Sequence, residues 1–103
     1  MKIPTTFMLF GEKIHVEYDK NMLATHNAYG EADYIYSLIR LQDPTTVEIP
    51  RAKLEDTFCH ELLHMILEKL GRQEESSDEI LITSMAGLLH QALTTAEYAK
   101  DEK

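Results

Sequence analysis

Hydrophobic and polar residues alternate along the first half of the chain and change to a helical period in the second. Phe7-Met8-Leu9-Phe10 is a short apolar run, followed by a turn at Gly11-Glu12-Lys13. Ile14 to Tyr18 then alternates, with Ile14, Val16 and Tyr18 on one side, which predicts a half-buried strand and a first hairpin. Asp19 to Thr25 fits either a helical turn or a loop. Asn27 to Asp33 predicts a weak strand with a turn at Glu31 to Asp33, and Tyr34 to Leu41 a stronger strand. In that strand Ile35, Ser37, Ile39 and Leu41 face one way and Tyr34, Tyr36, Leu38 and Arg40 the other. The loop Gln42 to Thr46, with Pro44, ends it.

From Pro50 the period changes. Pro50 suits the first turn of a helix and Gly71 suits its C-terminal stop, so a helix is expected from Pro50 to about Leu70. Leu54, Phe58, Leu62, Met65, Ile66 and Leu70 recur at helical spacing, and Cys59, Leu63 and Leu67 widen the apolar surface. The remaining sector carries Thr57, His60, Glu61, His64 and Glu68. A helix apolar nearly all round is buried, so this polar strip is expected to face a site. Arg72 to Ser77 reads as a polar connection. Ser76, Ser77 or Asp78 can N-cap a second helix running from Glu79 to about Ala99. Its expected apolar face is Leu81, Ile82, Met85, Leu88, Leu89, Ala92, Leu93 and Ala96, and Asp101 to Lys103 is expected to be a frayed tail. The pattern predicts one α+β domain over residues 1–103: a small, mostly antiparallel sheet packed on two long helices.

The polar strip holds the chemistry. Thr57-Phe58-Cys59-His60-Glu61-Leu62-Leu63-His64 contains H-E-x-x-H, which on a helix sets His60 and His64 one turn apart on one face. Two such imidazoles can hold one metal ion, with Glu61 as a base toward water. A catalytic site needs a third ligand. Glu79, at the start of the second helix, reaches the correct height if that helix folds back along the first. Asp78 is the alternative, one residue out of phase. Ser76-Ser77-Asp78-Glu79 also fits a capping box, S-x-x-E, which competes with ligation by Glu79. Cys59 points away from His64 and reads as a small buried apolar residue. His15 and His26 read as surface residues, and Met65 and Met85 as core fillers. His90 lies about 16 Å beyond Glu79 along the helix axis, too far for the same ion.

Composition narrows the partners. Eighteen acidic residues against 10 basic ones give a formal net charge of −8, which argues against nucleic acid or an anionic membrane as the main partner. The single cysteine, Cys59, excludes an internal disulfide and points to a reducing cytoplasm. No signal-peptide pattern follows Lys2, and no apolar run reaches the length of a membrane span.

The segment Thr57 to His64, then Leu70-Gly71, then Asp78-Glu79-Ile80-Leu81, resembles the short HExxH zinc metallopeptidase-like proteins of phages and prophages, related to the ImmA/IrrE-type glutamate zincins. The resemblance extends over most of the chain. It implies a minimal zincin-like fold, Zn²⁺ held by His60, His64 and Glu79, and Glu61 as the general base. It also implies a metallopeptidase acting on a protein or peptide. Larger relatives carry a more extended glutamate motif, rich in Ala and Asn, and extra domains; this chain has neither. A non-catalytic, zinc-stabilised binding or regulatory module of phage origin is the alternative expectation. No oxyanion stabiliser is evident; a tyrosine or His90 could serve, and nothing in the spacing selects one.

Overall fold

A computed structural model describes residues 1–100. The expected tail Asp101 to Lys103 lies outside the described residues. The elements are β1 (Thr6–Leu9), β2 (Glu12–Asp19), α1 (Met22–His26), β3 (Gly30–Asp33), β4 (Leu38–Gln42), α2 (Arg51–Lys69), α3 (Gln73–Ser76) and α4 (Glu79–Thr95). The architecture is α+β, a small mixed four-stranded sheet beside helices.

The strands lie in the order β1-β2-β4-β3. β1 and β2 form an antiparallel hairpin through a two-residue turn, Phe10-Gly11, in which both residues have positive φ (49° and 77°). That turn matches the twist of the strands it joins. β3 and β4 are also antiparallel, whereas the central pair, β2 and β4, is parallel. β4, with a partner on each side, buries Leu38, Ile39, Leu41 and Gln42. Gln42 has no exposed surface, and its amide ties the loops around it: Oε1 accepts from the Leu23 backbone N–H at 2.7 Å and Nε2 donates to the Lys20 carbonyl at 2.9 Å.

The strand expected over Tyr34 to Leu41 is shorter and later. Residues 34–37 are a turn, and Ile35 and Tyr36 project into solvent. Asp33 causes this: its Oδ1 accepts from the backbone N–H groups of Ile35 and Tyr36, both at 3.1 Å, and Ser37 then takes a left-handed φ of 53°. An Asx turn outcompetes a ladder here because it satisfies two backbone donors at once. The turn expected at Glu31 to Asp33 is instead part of β3. On β2, Ile14 and Val16 are buried as expected, while Tyr18 is exposed.

α2 stops as a Schellman motif. The Arg72 N–H donates to the Leu67 carbonyl at 2.8 Å and the Gly71 N–H to the Glu68 carbonyl at 3.0 Å, with Gly71 at φ 71°. Leu54, Phe58, Cys59, Leu63 and Met65 join Ile14, Val16, Ile39, Leu41, Ile82 and Ala86 in one core. Leu70, expected in the apolar face, is exposed: it is the C-cap residue of α2 and lines an open apolar depression with Leu9 and Phe10 of the first hairpin. α4 departs most from expectation. It ends at Thr95, and only Ile82 and Ala86 are buried on it. Leu81, Met85, Leu88 and Leu93 are exposed, because α2 and the short α3 are the elements α4 packs against and they cover one side only. No helix of the described residues is long and apolar enough to cross a membrane.

Candidate metal centre

α2 and α4 bring His60, His64 and Glu79 to one point. His60 Nε2 lies 3.2 Å from His64 Nε2 and 3.2 Å from Glu79 Oε2, and His64 Nε2 lies 3.3 Å from Glu79 Oε1. Tetrahedral zinc with donors at roughly 2.0–2.1 Å keeps its ligand atoms about 3.3–3.4 Å apart. Each of the three edges has about that length, with the two to Glu79 running to different oxygens of its carboxylate. Hydrogen bonds from each imidazole to Glu79 would explain two of the edges. They leave the third, between two ring nitrogens, without an attractive partner unless a cation or a shared proton lies between them. The donor set, two imidazoles and a carboxylate, fits a borderline divalent ion.

Local sequence explains the convergence. The four-residue spacing of the histidines stacks their rings on one face of α2. The Schellman stop at Gly71 and the short helix α3 turn the chain back, so Glu79, in the first turn of α4, meets them. Asp78 does not compete: its Oδ1 accepts from the Leu81 N–H at 3.1 Å and caps α4. Ser76 is not the cap that an S-x-x-E box requires. It is buried in α3 and its Oγ lies 2.9 Å from His64 Nδ1.

Glu61 is 9% exposed and sits beside the triad. Burial, then the Glu79 and Glu31 carboxylates, push its pKa up to about 7, opposed by a hydrogen bond to the backbone of Ala32. His64 is held below its ordinary value, first by burial and then by the neighbouring His60 ring. Burial keeps the Tyr34 phenol protonated above its usual range, reinforced by the carboxylates of Glu68, Glu61 and Glu79. A cleft of about 250 Å³ adjoins His60 and Glu61, walled by Tyr29 and Gly30, by Thr57 of α2 and by Thr83 of α4. Gly30 permits this close wall: a Cβ there would meet Thr57 Cγ2 at 2.8 Å.

Cys59 stays out of the site. It is fully buried, and burial raises its thiol pKa to about 11. His15 and His26 are exposed and belong to no metal-sized cluster among the described residues. His90 faces a different group, with Nε2 2.8 Å from Glu55 Oε1, so it is unavailable as an oxyanion stabiliser at the triad. Glu55 is buried and also accepts from the Met1 ammonium at 3.2 Å and from Arg51 Nε at 2.9 Å. Sequence reasoning missed this cluster. The available signal was an acid on the apolar side of α2, four residues before Cys59, which requires a cationic or hydrogen-bonding partner.

Comparison of the chain with protein-family models, with curated proteins and with solved structures returned no match. The functional class therefore rests on the side chains themselves.

Proposed function

We propose that the chain is a zinc-dependent peptidase of minimal zincin-like build, with His60, His64 and Glu79 as ligands and Glu61 as general base. The observation that carries this reading is the approach of two imidazole nitrogens, 3.2 Å apart, each to one oxygen of the Glu79 carboxylate at 3.2 and 3.3 Å, beside a buried carboxylate that no ligand role accounts for. When bound, zinc supplies Lewis acidity: it polarises a substrate carbonyl and brings the acidity of water near neutrality. Glu61 then accepts a proton from the attacking water and returns it to the leaving amine. Burial raises the proton affinity of this carboxylate, which suits it to both transfers. β3 is one of the two outer strands of the sheet and its start, Gly30, walls the cleft. An extended peptide fits beside it by strand addition, with the scissile bond over Glu61.

The test is cleavage of an unfolded protein substrate by the zinc-loaded chain and by Glu61→Gln. The variant is expected to keep its zinc and lose about 10²–10⁴-fold in turnover. Retained turnover with intact zinc removes Glu61 from the base role. One observation favours a second reading, a binding module stapled by zinc: Ile80 and Leu88 of α4 are 83% and 69% exposed, an apolar surface suited to a partner. Zinc-dependent folding without cleavage of any substrate selects that reading.

A further inference from the structure

Ser76, Ser77 and Asp78 are three adjacent polar residues between α2 and α4, and they have three different tasks. Ser77 Oγ donates to the Gln73 carbonyl at 2.9 Å, a local bond within the turn. Asp78 caps α4. Ser76 is the buried member of the three, 5% exposed, and its hydroxyl turns away from the backbone to His64 Nδ1 at 2.9 Å.

This contact has a direction that follows from chemistry. A neutral imidazole carries one proton, on Nδ1 or on Nε2. His64 Nε2 faces His60 and Glu79, and a nitrogen that bears a proton cannot ligate. The ligating tautomer must therefore hold its proton on Nδ1, where Ser76 Oγ can accept it.

We propose that Ser76 is the positioning residue of the metal centre: it fixes His64 in the Nδ1–H tautomer and aims its bare Nε2 at the position shared with His60 and Glu79. The inference rests on the zinc reading above and deepens it. Ser76 ends α3, three residues before Glu79, so the same short link that delivers the third ligand also orients the second. Closure of the α2–α4 turn and readiness of His64 are thus one event. Partners that orient a metal-bound histidine are worth about 10–100-fold in metal affinity.

The experiment measures zinc affinity by competition with a chromophoric chelator and follows the His64 Nδ1–H of the zinc-loaded, full-length chain by its ¹H–¹⁵N resonance and its exchange with solvent. The wild type is expected to show a His64 Nδ1–H protected from exchange. Ser76→Ala is expected to lose 10–100-fold in zinc affinity and to lose that protection. Ser76→Thr, which keeps the hydroxyl, restores both, and Ser77→Ala changes neither. An unprotected His64 Nδ1–H in the zinc-loaded wild type overturns the proposal without need of any variant. Equal zinc affinity in the wild type and Ser76→Ala overturns the role of Ser76 and leaves the zinc reading standing. A wild type that holds no zinc overturns the zinc reading and this one with it.

Discussion

Glu79→Gln separates the metal reading from simple helix packing. Glu79 has 64% of its side chain exposed, it does not cap α4, and its carboxylate contacts only the two imidazoles. In the zinc-free chain its replacement is a surface change, worth within about 0.5 kcal/mol. At roughly 4–8 °C per kcal/mol for a domain of this size, the melting temperature moves by no more than about 2–4 °C. The zinc-loaded chain behaves differently. Zinc at 100 times its dissociation constant stabilises the wild type by about 2.7 kcal/mol, which raises the melting temperature by roughly 10–20 °C. If loss of one donor in three weakens binding a hundredfold, the same zinc concentration yields RT ln 2, about 0.4 kcal/mol, in the variant. Thermal melts followed by circular dichroism, with zinc and then with excess chelator, read both numbers. The reasoning is refuted if zinc leaves the wild-type melt unmoved, or if Glu79→Gln gains as much from zinc as the wild type.

Three further predictions concern the scaffold. Gly30→Ala places a methyl 2.8 Å from Thr57 Cγ2, on a side chain whose Oγ1 is tied to the Lys53 carbonyl; it is expected to cost about 1–3 kcal/mol, and adding Thr57→Ser, which removes the opposing methyl, is expected to return part of that in denaturant titration. Ile82→Ala empties a fully buried position where α4 meets the core, at a cost of about 2–5 kcal/mol by the same measurement. The His90 hydrogen bond, with help from the Met1 ammonium and Arg51, holds Glu55 down to about 2, against an ordinary value near 4.5. A depressed carboxyl pKa stabilises the fold above the unfolded value, so this contribution is complete above about pH 5 and is lost as pH falls through 4.5 toward 2. Glu55→Gln is expected to flatten that segment of the stability–pH curve, and an unchanged slope would show that Glu55 does not titrate as described.

The parts of the fold that were legible share a property: each depends on residues close together in sequence. Pro50 and Gly71 bracket α2 because both act through local backbone geometry. The histidine spacing needs only a helix, and Glu79 needs only a short return. Strand limits were less legible. Alternation marked Tyr34 to Leu41 as one strand, but Asp33 ties two following amides and Ser37 adopts a left-handed φ, and neither shows in a hydrophobic pattern. The α4 stripe misled for another reason: periodicity reports which residues could be buried, and burial also requires a partner element. Leu88 lacks one within the fold, whereas Ile82, with the same local credentials, meets α2. Ser76 looked like a cap because caps and histidine partners use the same hydroxyl, and only the three-dimensional path of the link distinguishes them.

The parallel seam between β2 and β4 has a consequence for how the molecule assembles. Each hairpin, β1–β2 and β3–β4, closes through a short turn, but the seam joins His15 to Leu38 and so on to Asp19 and Gln42, across all of α1 and β3. Loop-closure entropy makes this the costliest pairing within the sheet, with the hairpins able to zip beforehand. Before that junction forms, β3 is attached to its neighbour but not to the rest of the sheet. The groove it walls against α2 therefore comes into being late in folding, after the helical turn that gathers the two imidazoles has had time to form on its own.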